Sequence, residues 1–364
     1  MFGTLIGSGL AACIIYSFNK IEWHDKETKT ILRLFYNIDF KVKDKFPTLY
    51  KKNISKAYTE YIFKTPLGLT VKKDLQPLLE NTLNKPVAIG FKGMLTVKVY
   101  NNALPTKLNY DWRSTGAWNV PIGYGLNGWL YHNFDKIPHM TIAGMTRQGK
   151  TVLLKLILAH IINNNYGAEI YILDLKGGLE FGKYERLKQV KCVSSNVVEA
   201  FESLSNINRQ IDEDMRMFKS KGINNIVNTN IKKRRFIIVD EAAELDKRCQ
   251  ERLSEIARIG GALGYRLIFA TQYPTADTLP RQIKQNADAK ISFRLPTEVA
   301  SRVALDEQGA EKLKYAGRAI YRTHEHQEVQ VPYIDDKEIL ERLDKCVVDK
   351  RETEQIRQDT IEFG

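Results

Sequence analysis

A chain of 364 residues can hold one large domain or two ordinary ones, each with its own core. Hydrophobic content of 43% and charged content of 27% are globular values and exclude a disordered chain. Cys13, Cys192, Cys249 and Cys346 lie far apart without paired spacing, which argues against a disulfide framework or a zinc site and suits a reducing, cytoplasmic setting. The net charge of +12 is uneven: 20–98 hold 16 Lys/Arg against 8 Asp/Glu, whereas 335–364 hold 6 against 10. The basic block fits a polyanionic partner, either nucleic acid or an anionic leaflet, or else a solvated lysine-rich surface.

Met1–Phe18 carries no charge and as a helix would span roughly 27 Å, just short of a bilayer core. It lacks the positive n-region of a secretory signal, and Lys20, Lys26, Lys29 and Arg33 follow it. The positive-inside rule then makes 1–18 a single-pass anchor in the cell membrane with the rest of the chain cytoplasmic. A buried or hairpin-forming N-terminal helix in a wholly cytoplasmic protein is the alternative. Residues 19–113 read as a small basic adaptor domain, α/β or helical, with a strand over 90–100. Pro105, Pro121, Gly123, Gly125 and Gly128 mark a boundary region.

From Ile137 onward short apolar runs alternate with helical segments. Strands are expected at 139–143, 170–173, 236–239 and 267–270, an amphipathic helix at 150–163 and a long helix at 195–219. This alternation predicts an α/β fold with a mostly parallel sheet covered on both faces. Residues 334–364 read as an acidic helical tail after a domain over 114–333.

Gly144-Met145-Thr146-Arg147-Gln148-Gly149-Lys150-Thr151 fits the phosphate-loop pattern Gly-x4-Gly-Lys-Ser/Thr, following a strand and opening a helix. Such a loop cradles phosphates with backbone N–H groups and the helix dipole. Lys150 reaches the β and γ phosphates and Thr151 offers its hydroxyl to Mg²⁺, so a nucleotide with Mg²⁺ is the expected cofactor. Phe236-Ile237-Ile238-Val239-Asp240-Glu241 supplies the complement: Asp240 to hold the metal through water, Glu241 to orient or deprotonate the attacking water. Glu244 and Asp246 read as cap or surface residues. Gln272, ending the next strand, is placed to sense the γ-phosphate.

With these blocks on the page, the chain resembles the FtsK/SpoIIIE family of double-stranded DNA translocases. The resemblance rests on PHMTIAGMTRQGKTVLLK at 138–155, FIIVDEAAEL at 236–245, LGYRLIFATQYPTADTLPRQIKQNADAKISFRL at 263–295 and ASRVALDEQGAEKLKYAGRAIY at 300–321. It implies a RecA-like P-loop NTPase sheet and a homo-hexameric ring with ATP between subunits and DNA through the centre. The family's pore loops correspond to 217–230 and 278–286, whose Lys219, Lys221, Arg281 and Lys284 suit phosphate contacts without base readout. Where family members usually carry a trans-acting arginine, this chain has Gly261, which leaves Arg258 or Arg302 to supply that charge.

The resemblance and the expected anchor point to an ATP-driven DNA translocase in transfer of a conjugative plasmid or integrative element. Such a coupling protein would work with a relaxase and secretion-channel proteins. The alternatives are a chromosome- or phage-type translocase or replication helper, and, in another class, a secretion-associated ATPase or docking platform that moves no DNA. The orientation-reading winged helix and multi-span membrane domain of chromosome translocases find no counterpart in these residues. His324 and His326, two apart in an expected strand over 321–331, have metal-ligand spacing but no further ligand nearby. Trp112, Trp118 and Trp129 read as packing residues rather than a base-stacking platform.

Overall fold

Two strands in the second half of the chain are apolar on both faces. In Arg234–Asp240 the side chains of Phe236 and Ile238 enter one core, and those of Ile237 and Val239 enter another. Tyr265–Thr271 repeats the division, with Ile268 and Ala270 on one side and Leu267 and Phe269 on the other. A strand alternates faces with every residue, so a continuous apolar run is stable only with helices on both sides of the sheet.

The computed structural model describes residues 25–347 apart from 73, 114 and 117. The expected anchor at 1–18 therefore lies outside the described residues, as does most of the acidic tail. Among the described residues no helix is long and apolar enough to cross a membrane. The chain divides into two units, Met1–Ala103 and Leu104–Gly364.

In the first unit, α1 (Lys26–Asn37), β1 (Thr48–Ile54), β2 (Tyr58–Lys64), α2 (Leu75–Leu83), β3 (Val87–Phe91) and β4 (Leu95–Tyr100) follow in order. The strands form an antiparallel sheet of order β1-β2-β4-β3, so the strand expected at 90–100 is a hairpin of β3 and β4. Ile31 and Phe35 of α1 and Leu75 and Leu79 of α2 bury against Tyr61, Phe63, Val97 and Val99.

The second unit holds β5 (Asn119–Gly125), β6 (Gly128–Asn133), β7 (Met140–Ala143), α3 (Lys150–Asn164), β8 (Ala168–Asp174), β9 (Val190–Ser194) and α4 (Val197–Ser220). There follow β10 (Arg234–Asp240), α5 (Lys247–Leu263), β11 (Tyr265–Thr271), α6 (Arg281–Asn286), β12 (Ala289–Phe293), α7 (Glu298–Leu305), β13 (Arg318–Arg322), β14 (His326–Gln330) and α8 (Asp336–Leu343). The sheet order is β6-β5-β14-β13-β12-β7-β11-β10-β8-β9; β12 through β9 run parallel, and β13, β14, β5 and β6 pair antiparallel. The large sheet is thus mixed but mostly parallel. Leu108 and Tyr110 join this unit through a bridge to Tyr333: the Tyr333 N–H donates to the Leu108 carbonyl (2.7 Å) and the Tyr110 N–H to the Tyr333 carbonyl (3.1 Å). The division therefore falls upstream of the 113/114 boundary expected from the Pro/Gly-rich stretch.

Two expectations change. Helix α3 is not amphipathic: Leu153 through Ile162 are all buried, because the helix lies between the sheet on one side and Tyr110, Trp118 and α8 on the other. A helix enclosed all round needs no polar stripe. The single strand expected at 321–331 is a hairpin, turned where the Thr323 N–H donates to the Glu325 carbonyl. His324 sits in that turn, while His326 begins β14 with its Nδ1 2.8 Å from Glu307 Oε1, so the pair shares no strand face. Among the described residues no group of three or more His, Cys, Asp or Glu could hold a metal. The tryptophans pack: Trp118 is buried against Phe236, and Trp112 stacks on His160.

Below the parallel strands Asp135 accepts from both Arg234 (2.8 Å) and Arg266 (2.8 Å), and Arg266 is 1% exposed. Beside this cluster His139 Nδ1 accepts from the Leu267 N–H at 3.0 Å, and burial with the nearby Arg266 charge pushes its pKa down to about 3. Burial likewise pushes His132 and His160 down to about 4. Each ring is neutral in the fold but takes a proton near pH 6.5 when unfolded. Below that pH the unfolded chain binds more protons, so stability falls as pH drops from about 6.5 toward 4. The expected loss is about 2 kcal/mol per histidine at pH 5. Urea denaturation from pH 7 to pH 5 checks this; a midpoint that stays flat across the window contradicts it.

Candidate nucleotide site

The carboxyl ends of β7, β11, β10 and β8 lie side by side, with Ala143 opposite Thr271 and Asp240 opposite Asp174. In an open α/β sheet this edge is where ligands bind. The expected site residues leave the sheet along it: the 144–149 loop from β7, Gln272 from β11, and Asp240 and Glu241 from β10. Residues 145–151, Asp240 and Gln272 line a cavity of about 720 Å³ that runs from Lys150 and Thr151 out to 106–109 and 331–333, and Glu241 lies behind it beside Lys150.

The loop is held at both ends by backbone bonds. The Gly144 N–H donates to the Thr271 carbonyl (3.3 Å), the Met145 N–H to the Arg294 carbonyl (3.1 Å) and the Gly317 N–H to the Gln148 carbonyl (2.8 Å). Between these anchors Arg147 at φ 62° and Gly149 at φ 113° curl the chain, and α3 begins at Lys150. Gly317 has φ 76°, and any Cβ there would meet the Gln330 amide at 2.5 Å, so the residue that pins the loop must be glycine.

Lys150 is 5% exposed. Its ammonium lies 3.2 Å from Asp240 Oδ1 and 3.6 Å from Glu241 Oε2. Among the described residues Lys150 Nζ, Asp240 Oδ1 and Glu241 Oε2 nevertheless have no hydrogen-bond partner, and neither does the buried Thr271 hydroxyl. Buried polar groups are normally satisfied, so this cluster is what a phosphate–metal ligand would complete. The residues fit Mg²⁺-ATP: an ammonium for the phosphates, and the Thr151 hydroxyl and Asp240 carboxylate for the ion.

Glu241 is strained and doubly held. It lies at φ 64°, ψ 64°, a left-handed conformation costing on the order of 1–3 kcal/mol for a non-glycine residue. Its Oε1 accepts from the Gln272 N–H (3.3 Å), and its Oε2 lies 3.2 Å from Lys176 Nζ. The Gln272 side chain in turn accepts from the Thr146 hydroxyl at 2.9 Å, so one residue touches both the loop and Glu241. Sequence reasoning missed Lys176, which also lines the cavity. The signal was available: Asp174-Leu175-Lys176-Gly177-Gly178 ends β8 as Asp240-Glu241 ends β10. Asp174 Oδ2 accepts from the Glu180 and Phe181 N–H groups, both at 2.9 Å, and so folds this loop back over the sheet edge.

The remaining candidates lie away from the cavity. Arg258 is exposed on α5 and lines a separate groove with Glu251, Glu255 and Gln282. Arg302 on α7 pairs with Glu298 at 2.7 Å. At Gly261 a Cβ would lie 3.0 Å from the Pro138 ring, so the position of the missing arginine is a tight helix–turn contact. Lys219, Lys221 and Arg281 are exposed, the first two at the end of α4 and the third opening α6. Lys284 is engaged instead, 2.7 Å from Asp306 Oδ1. Asp246 caps α5 by accepting from the Cys249 N–H (2.9 Å).

A Cβ at Gly144 would lie 2.7 Å from Phe293 Cβ, a contact no flexible side-chain end can relieve. Gly144→Ala is expected to displace the loop, costing about 1–3 kcal/mol of stability. Nucleotide affinity should fall on the order of tenfold. Calorimetric titration and urea denaturation measure the two effects, and wild-type values for both contradict the packing argument.

Residues 109–276 match the FtsK/SpoIIIE family. The DNA translocase FtsK of Streptococcus agalactiae serotype V is 24% identical, over 88% of this chain and 43% of its own length. That of Streptococcus pneumoniae strain R6 is 25% identical, over 76% and 40%. The chain thus spans under half the length of these curated relatives. Among solved structures, the pCW3 conjugation coupling protein TcpA, a monomer form with ATPγS, superposes with a TM-score of 0.63 and 25% identity, covering 88% of this chain and 99% of that one. The type VII secretion ATPase EccC of Thermomonospora curvata shares the fold at a TM-score of 0.56 and 19% identity, covering 68% of this chain and 33% of that one. The phosphate loop, the acidic pair and the sheet edge that carries them all fall within residues 109–276, the stretch that matches the FtsK/SpoIIIE family.

Proposed function

We propose that this chain is an ATP-driven DNA translocase that acts as a coupling protein in transfer of a conjugative plasmid or integrative element. The carrying observation is the buried Lys150–Asp240–Glu241 cluster, whose Lys150 and Asp240 line the cavity below the phosphate loop while polar atoms of all three lack hydrogen bonds. The match of 109–276 to the FtsK/SpoIIIE family supports DNA as the cargo, and likeness to TcpA along 99% of that chain favours the conjugative role over chromosome segregation.

In this reading Lys150 neutralises the β and γ phosphates, and Thr151 and Asp240 hold Mg²⁺. The ion supplies charge neutralisation at the phosphoryl oxygens. Glu241 orients the attacking water and takes its proton, which requires it to be released from Lys176. Gln272 touches both the loop and Glu241 and so reports occupancy of one to the other. Arg258 and Arg302, outside their own chain's cavity, are the candidates to complete a neighbour's site in a hexamer. Lys219, Lys221 and Arg281 grip phosphates without reading bases, and Lys284, already paired with Asp306, contributes less. Residues 1–18 anchor the protein to the membrane, beside relaxase and secretion-channel partners.

Lys150→Ala should lower DNA-stimulated ATP hydrolysis by on the order of a hundredfold or more while leaving DNA binding intact. Normal hydrolysis by the variant defeats the site assignment, and a wild-type rate that DNA does not stimulate favours the secretion-ATPase reading. Removing Lys219, Lys221 and Arg281 together should flatten the salt dependence of DNA affinity by about one unit of slope per lost contact. An unchanged slope removes these residues from the DNA path. Fractionation of the full-length chain tests the anchor; recovery in the soluble fraction contradicts it.

A further inference from the structure

The first unit carries exposed apolar side chains at one end of its sheet. Register sets Leu49 opposite Phe63, Phe63 opposite Leu95 and Leu95 opposite Phe91, so the start of β1, the end of β2 and the β3–β4 turn form one row. Tyr50 (56% exposed), Leu67 (98%) and Phe91 (47%) stand in or just beyond this row. Leu67 is held out by an ordered turn. The Leu69 N–H donates to the Pro66 carbonyl at 3.1 Å, Gly68 lies at φ 87°, and Leu69 packs against the core. The β3–β4 turn that follows Phe91 closes where the Lys92 N–H donates to the Met94 carbonyl, with Gly93 at φ 75°. A Cβ at Gly68 or Gly93 would meet no neighbour within 4 Å, so both turns stand clear. Leucine and phenylalanine grouped on ordered turns mark a surface that a partner covers.

Charge identifies that partner. Residues 45–59, 61–73 and 81–103, which supply the sheet apart from Glu60, contain ten lysines and no Asp or Glu. At the apolar end Lys45, Lys64 and Lys92 are exposed and, among the described residues, pair with no carboxylate. Lys64 Nζ instead lies 4.7 Å from the centre of the Tyr50 ring. A nucleic-acid backbone would pair the lysines but leave Leu67, which has no polar side-chain atom, in water. A bilayer surface takes both: cations at the headgroups, amphipathic rings at headgroup level and apolar side chains at the acyl boundary.

We propose that this end of the first unit docks on an anionic phospholipid leaflet. Leu67 and Phe91 enter the acyl boundary, Tyr50 lies among the headgroups, and Lys45, Lys64 and Lys92 meet lipid phosphates. The contact uses none of residues 1–18 and is separate from the anchor expected there.

Hydrogen exchange of the full chain on vesicles reads this contact segment by segment. On phosphatidylglycerol vesicles the Leu67, Gly68, Lys92 and Gly93 amides should exchange on the order of tenfold more slowly than in solution. On phosphatidylcholine vesicles they should keep the solution rate, even if 1–18 holds the chain there. Leu67→Asp with Phe91→Asp, both at exposed positions, should abolish the protection, and a wild-type urea midpoint separates this from misfolding. Lys64→Gln with Lys92→Gln, which leaves the apolar side chains in place, should weaken the protected state about tenfold. Solution-rate exchange of both turns on phosphatidylglycerol vesicles overturns the proposal, as does equal protection on phosphatidylcholine. Protection of the turns by double-stranded DNA in the absence of vesicles assigns the surface to nucleic acid and overturns it too.

Discussion

Burying an ammonium costs several kcal/mol unless opposite charge and hydrogen bonds replace the lost water. Lys150 obtains the charge but not the bonds: Asp240 and Glu241 lie within 3.2 and 3.6 Å, yet its Nζ has no hydrogen-bond partner. The cluster is neutralised enough to fold and incomplete enough to favour an anion. Much of the architecture serves this condition. The parallel strands set both carboxylates beside the lysine, α3 fixes its backbone, and Gly317 and Arg294 tether the loop that precedes it. Glu241 adds a left-handed backbone, a local cost that the surrounding sheet edge must offset.

How much of this was legible in the sequence depended on whether the signal was local. The phosphate loop and the apolar run ending in Asp240-Glu241 declare strand, turn and chemistry within a few residues, and the structure brings Lys150 within 3.6 Å of both carboxylates. The parallel order of the sheet followed from the alternation of apolar runs and helices. The character of α3 was not legible, because its second covering layer comes from Tyr110, Trp118 and α8, which are distant in sequence. The hairpin at 318–330 escaped for a different reason: its turn, Thr323-His324-Glu325, contains neither glycine nor proline. Lys176 is an ordinary residue in sequence and meets Glu241 only through the strand ends that place the two side by side.

The charged clusters divide into two kinds that sequence alone does not separate. At Asp135 two arginines share one carboxylate beneath the strands, and their carbonyl partners complete the set: Arg234 donates to Ile231 and Arg266 to Gly261. That arrangement ties β10 and β11 to the turn before β7, and Arg266 has only one orphaned atom, its Nε. At the opposite, carboxyl edge the buried charges are left partly unsatisfied. The paired charges at Asp135 rigidify one end of the sheet, leaving Arg266 Nε and His139 Nε2 without partners, and at the other end Lys150 Nζ, Asp240 Oδ1 and Glu241 Oε2 lack hydrogen bonds beside the cavity.

The double bond at Gly317 has a thermodynamic consequence. Its N–H donates to Gln148 of the phosphate loop, and its carbonyl accepts from Val331, which opens the 331–333 wall. One glycine is therefore common to both ends of the cavity, and a displacement at either end is felt by a residue the other end depends on. Sites that share such an element are linked, and linkage is reciprocal: whatever factor a bound triphosphate applies to affinity at the far wall, a ligand at that wall applies to affinity at the loop. Substitutions at the two ends would then combine non-additively in a double-mutant cycle.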